Sequence, residues 1–154
     1  MLFIAVFMSG CIKDRTWKIG ESAPEISAVD LNDQTVKLSD FRGKVIVVRF
    51  WSAGCKACLD EMPVIDAFSK RHKDKGLAVL AVNRGESKEW VEKFVIRLNI
   101  SYPVLLDPAA IASKKYSVTT VPTTFFIDRN GIARKVIPGP MTQELFEKTV
   151  LELL

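Results

Sequence analysis

The chain has 154 residues, of which 48% are hydrophobic and 26% charged. That balance excludes a disordered tail and a membrane bundle, and a chain of this length buries enough surface to hold one core without staples. The net charge is only +4, the basic residues are scattered, and no basic stripe is paired with stacking aromatics, so nucleic-acid binding is not expected. Three cysteines are too few for a disulfide-dense scaffold, and an odd number leaves one of them without a companion.

Met1 to Gly10 carry no charge, and Leu2 to Met8 are all apolar. That run is far short of the roughly 20 residues that cross a bilayer. It suits the apolar core of a secretory signal, with small residues Ser9 and Gly10 before a cleavage point. Cys11 follows at once. Small-Gly-Cys after an apolar run resembles a bacterial lipobox, although Met8 stands where Leu is usual. The resemblance implies acylation of the Cys11 thiol, and two acyl chains suffice for stable anchoring. The expected organisation is a signal segment over 1–10, a tether over 11–20 and one folded domain over 21–154.

Residues 24–31 and 35–38 alternate apolar and polar around Asn32-Asp33-Gln34, which predicts a hairpin. Ser39 is expected to cap a short turn that Gly43 ends. Within Lys44–Trp51, the β-branched run 45–48 predicts a buried, central, parallel strand. From about Cys55 to His72, Leu59, Met62, Ile65 and Phe68 recur every three residues and predict a helix, bent at Pro63. Its basic end, Lys70-Arg71-His72-Lys73, suits the negative pole of the helix dipole. A second buried strand is expected over 77–82, after Gly76. An amphipathic helix follows over 86–98, then a short strand over 103–106 and a short helix over 108–116. A long strand over 123–127 turns at Asp128-Arg129-Asn130-Gly131 into an antiparallel strand over 132–137. Thr142 is expected to cap a final helix reaching about Leu154. This order of elements means one α/β domain.

The chemistry points to Cys55-Lys56-Ala57-Cys58, where the central strand gives way to the helix. Residues i and i+3 of a helix share a face, at a separation compatible with a reversible disulfide. Cys55 falls at the helix N-terminus, where free N–H groups and the dipole favour a thiolate, and Lys56 adds a positive charge nearby. Cys55 is then the exposed attacker of low pKa, and Cys58 resolves the mixed disulfide from one turn deeper. A zinc site would need two further ligands, and only Cys11 and His72 are on offer, so no metal is expected. A permanent staple across so short a loop would contribute little stability.

The segment FWSAGCKACLDEMP resembles the active-site segment of the thioredoxin superfamily, and residues 20–154 are closest to its TlpA/ResA-like, AhpC-TSA-related branch. The resemblance rests on the strand into CxxC, Glu61, Pro63, the VPTTFFID segment and the DRNG hairpin. It implies a thioredoxin-like fold: a central mixed sheet flanked by helices, with an N-terminal β-hairpin and a helix–strand insert at about 86–107. It implies a cis peptide at Val121-Pro122, with the Val121 backbone offered to a substrate strand. It implies that Glu61 is a partly buried acid of raised pKa that moves protons to or from Cys58. Trp51 would flank the site. No cofactor beyond the Cys55–Cys58 pair is implied. The expected activity is extracytoplasmic reduction of protein disulfides, with partners such as apocytochrome c and a membrane thiol donor.

Three features depart from the family pattern: Gly54 replaces a Trp before the first Cys, the dipeptide Lys56-Ala57 lacks the usual Pro, and Arg49 stands where thioredoxin has a buried acid. The dipeptide tunes thiolate stability. An inward Arg49 would need a carboxylate, and Glu61 is the obvious one. Two other classes of function compete. A peroxiredoxin-like thiol peroxidase would share the hairpin but place an Arg beside the reactive Cys. A copper-binding chaperone of the same fold would want a well-placed His or Met cluster, and His72 and the four Met are dispersed.

Overall fold

A computed structural model describes residues 17–154, so the signal segment, Cys11 and most of the tether lie outside the described residues. The hairpin forms from β1 (Ser27–Asp30) and β2 (Thr35–Lys37), paired antiparallel. Asp30 closes its turn: Oδ1 accepts from the N–H groups of Asn32 at 2.8 Å and Gln34 at 2.9 Å. Both strands are shorter than expected. Pro24 has no N–H for a ladder, and Leu38 opens a 3-10 turn over Leu38–Phe41. That turn is capped from Lys37, whose N–H donates to Asp40 Oδ2 at 2.9 Å, and not by Ser39.

Strand β3 (Val45–Trp51) is buried along its whole length and leads into α1 (Lys56–His72). Gly76 takes the left-handed conformation, φ 88°, that turns the chain into β4 (Leu77–Arg84). Helix α2 (Lys88–Arg97) starts later than expected, because Ser87 is its N-cap and Glu86 is drawn elsewhere. Strand β5 (Val104–Asp107) follows. Helix α3 is only Ile111–Lys115, since Pro108 and Ala109 form the turn into it. Strands β6 (Thr123–Ile127) and β7 (Ala133–Pro138) and helix α4 (Gln143–Leu151) complete the chain. The Thr142 hydroxyl caps α4, accepting from Leu145 N–H at 3.2 Å.

The seven strands form one mixed sheet in the order β2-β1-β5-β4-β3-β6-β7. The centre, β5-β4-β3, is parallel, while the two hairpins attach antiparallel on either side. Alternate residues of β3 face two cores. Val45, Val47 and Trp51 pack with Cys58, Met62, Ile65 and Phe68 of α1 and Phe146 of α4. Ile46, Val48 and Phe50 pack with Leu38, Tyr116 and Phe125 on the other side. The parallel strands end at one edge of the sheet, the place where open α/β sheets build their sites.

Residues 17–20, the described part of the segment expected as a tether over 11–20, make contacts with the folded chain. Trp17 packs edge-on against Tyr116 and tilted against Phe125, at ring separations of 5.1 and 5.7 Å, and donates from Nε1 to Lys115 O, while Gly20 N–H bonds to Ala133 O. An indole gains more by burying its ring against aromatic neighbours than by trailing in water.

A buried carboxylate joins α1 to the loop before β5. Asp66 accepts from the N–H and hydroxyl of Ser101 at 2.7 and 2.8 Å and pairs with Lys70 at 2.6 Å. Burial alone would push the Asp66 carboxyl up, but the bonds from Lys70 and Ser101 outweigh it and hold the group below its ordinary value. A lowered folded value makes this clasp fully stabilising above about pH 4 and weaker as pH falls through the lowered value. Asp66→Asn should therefore cost about 1–3 kcal/mol at neutral pH and flatten the acid limb of stability, as read by urea unfolding across pH 2 to 7.

Candidate active site at the start of helix α1

Buried β3 delivers the chain to the sheet edge, and the loop 52–54 turns it into α1. Cys55 is the N-cap residue of that helix, with extended backbone, and its Sγ accepts from Cys58 N–H at 3.1 Å. Sulfur thus takes the place that a Ser or Asp oxygen takes at an ordinary cap. Cys55 and Cys58 are joined in a disulfide with Cα atoms 5.2 Å apart. Cys55 is partly exposed, whereas Cys58 is wholly buried beside Met62 and Trp51.

Arg49 lies on β3 with its side chain fully inside the α1 face. Nη2 donates to Glu61 Oε2 at 2.8 Å, and Nη1 donates to the Thr124 hydroxyl at 2.9 Å. Burial pulls the guanidinium below its ordinary pKa, and the Glu61 charge opposes that pull. The other oxygen of Glu61 accepts from Met141 N–H at 3.2 Å, which ties α1 to the loop before α4. Glu61 is 18% exposed, and both its oxygens already act as acceptors.

Trp51, expected to flank the site as a rim or packing residue, is fully buried in the core against Cys58, because side chains alternate along β3 and Trp51 falls on the α1 face with Val47 and Arg49. The Lys56 ammonium, 88% exposed, pairs with Asp60 one turn along, where such a pair is worth little. Ala57 is half-buried between the cysteines. Gly54 is exposed, and a Cβ there would meet nothing within 4 Å. Cys11 lies outside the described residues.

The loop before β6 forms the other side. The Val121-Pro122 peptide is cis, and the loop is pinned by Gly139 N–H to Pro122 O and by the Thr123 hydroxyl to Thr120 O, each at 2.7 Å. The N–H and C=O of Val121 make no hydrogen bond among the described residues.

Sequence reasoning missed one pair altogether. Glu86 Oε2 accepts from Ala53 N–H at 2.7 Å and from the amide of Asn83 at 2.7 Å, and Asn83 is fully buried next to Trp51 across the β3–β4 ladder. This carboxylate holds the loop that carries Cys55. The available signal was a lone Asn near the end of an apolar strand, but Glu86 lies 33 residues from Ala53 and only the parallel pairing brings the two together.

The signature of the AhpC/TSA family matches residues 19–136. The thiol-disulfide oxidoreductase ResA of Geobacillus kaustophilus is 39% identical over 130 residues, covering 84% of this chain and 75% of that protein. ResA of Bacillus subtilis is 36% identical over 126 residues, covering 82% and 70%. A candidate thiol:disulfide interchange protein DsbE from Chlorobium tepidum has a crystal structure that superposes with TM-score 0.84 at 30% identity, covering 88% of this chain and 97% of that one.

Two substitutions test the site's supports. Arg49→Leu leaves Glu61 and Thr124 facing an apolar side chain and should lower stability by about 3–5 kcal/mol in denaturant unfolding. Glu86→Ala should raise hydrogen exchange at the Ala53 amide by about tenfold or more, while the amides of β3 keep their protection.

Proposed function

Since the chain belongs to the AhpC/TSA family and is a thiol-disulfide oxidoreductase of the ResA/DsbE type, we propose that it reduces disulfides of proteins outside the cytoplasm, held at the membrane through an acylated Cys11. The observation that carries the reading is the pairing of an accessible Cys55 at a helix N-cap with a wholly buried Cys58 one turn on.

In the reduced protein the free N–H groups at the start of α1 favour a Cys55 thiolate. That thiolate attacks one sulfur of the substrate disulfide. A Cys55–substrate disulfide forms, the substrate S–S bond breaks, and one substrate thiolate leaves and takes a proton. Cys58 loses its proton and attacks Cys55 Sγ, which releases the second substrate thiolate and leaves the Cys55–Cys58 disulfide. Two electrons pass from the protein dithiol to the substrate. Val121 supports the docking step, because its unpaired N–H and C=O can bond an extended substrate segment as a further strand would. Glu61 stands one turn after Cys58 on α1, and any proton it moved to or from Cys58 would pass through a group already bonded to Arg49 and Met141.

Apocytochrome c is the kind of substrate, and a membrane dithiol the kind of donor, that this reading implies. A peroxidase reading would want an arginine beside the reactive cysteine, and Arg49 is committed to Glu61 and Thr124 in the interior.

Reduction of insulin by dithiothreitol should be accelerated by the wild-type protein and not by Cys55→Ser. Cys58→Ser should accumulate a mixed disulfide through Cys55, visible as an added mass that thiols remove. Full activity of Cys55→Ser would overturn the reading.

A further inference from the structure

A cleft of about 290 Å³ opens at the sheet edge, lined by Ser52, Arg84, Gly85, Ala110 and Val121. Ser52 comes from the loop leading to Cys55, Arg84 ends β4, Ala110 precedes α3, and Val121 precedes the cis proline. Arg84 is the one charged side chain in this lining.

Its surroundings ought to supply an acid, and two stand close in the fold. Asp107 is the residue directly across the β4–β5 ladder from Arg84, where an opposite charge commonly pairs. Yet the Asp107 carboxylate is buried and committed to α3, accepting from Ala112 N–H at 3.1 Å, Ser113 N–H at 2.9 Å and the Ser113 hydroxyl at 2.7 Å. Glu86, two residues along, is occupied by Ala53 and Asn83. Arg84 is left half-buried, and its side chain makes no ion pair and no hydrogen bond among the described residues. A half-buried guanidinium with five free donors fits a carboxylate in a two-pronged geometry that a neutral side chain cannot match. The lining also includes Val121, whose backbone N–H and C=O make no hydrogen bond among the described residues.

We propose that this cleft receives the polypeptide segment flanking the substrate's disulfide, and that Arg84 selects segments bearing an aspartate or glutamate beside the cystine. Backbone pairing at Val121 sets the register, and the Arg84 side chain sets the preference. The proposal rests on the reading that Cys55 exchanges with polypeptide disulfides.

The test uses three cystine peptides that differ only in the residue next to the cystine: Glu, Gln or Lys. Second-order exchange rates are measured in both directions, from reduced protein to peptide disulfide and from peptide dithiol to oxidised protein. The wild-type protein should favour the Glu peptide over the Gln peptide by about tenfold, with the Lys peptide slowest. The spread should narrow as salt is raised. Arg84→Ala should level the three rates, and Arg84→Glu should invert their order. Wild-type rates that ignore peptide charge, or a ranking that survives Arg84→Ala, overturn the selection by Arg84 while leaving the oxidoreductase reading in place. Absence of exchange with every peptide in both directions overturns both.

Discussion

A helix begins with amide groups that have no partner inside the helix. In this protein a cysteine sulfur takes the cap position, and the rest of the site follows from that placement. Cys55 Sγ accepts the Cys58 amide at 3.1 Å, so the sulfur that must carry negative charge in the reaction lies where the helix dipole and a backbone donor meet. The same turn of helix sends Cys58 inward, behind its companion and away from solvent. In the mechanism proposed above, exposure alone divides attack from resolution between two residues of identical chemistry.

Holding that cap in place requires rigid supports on both sides. From below, β3 is buried at every residue and fixes where the chain emerges. Beside the loop, Glu86 grips the Ala53 amide, and on the other side of α1, Glu61 grips the Met141 amide. Two carboxylates thus pin two loops that border the thiols, each through one backbone N–H. Each carboxylate has an orienting partner of its own, Asn83 for Glu86 and Arg49 for Glu61. Burying a guanidinium is costly, and the Glu61 carboxylate and Thr124 hydroxyl offset that cost only while both remain in place.

The same economy of acids explains the character of the cleft. Asp107 and Glu86 stand on either side of Arg84 but are spent on backbone amides, one at the start of α3 and one before Cys55. The fold uses its nearby carboxylates for architecture and leaves a cation facing the place where a partner's chain would lie.

Residue pattern alone determined the α/β class, the strand before CxxC, the helix after it and the Asn-Gly hairpin, because these depend on local periodicity and turn chemistry. Cys55 and Cys58 were legible for the same reason: their spacing and their place at a helix start are local facts. Boundaries were less legible. Ser87 starts α2 instead of Glu86 because the Glu86 side chain is claimed by a loop from another part of the chain. Tertiary structure alone decided that Trp51 packs inward, that Lys56 turns to Asp60, that Trp17 packs on Tyr116 and Phe125 and that the Arg84 side chain has no acid to pair with among the described residues. Each of those outcomes depends on which of several charged or aromatic groups comes within reach, and reach across a sheet is set by strand pairing, not by spacing along the chain.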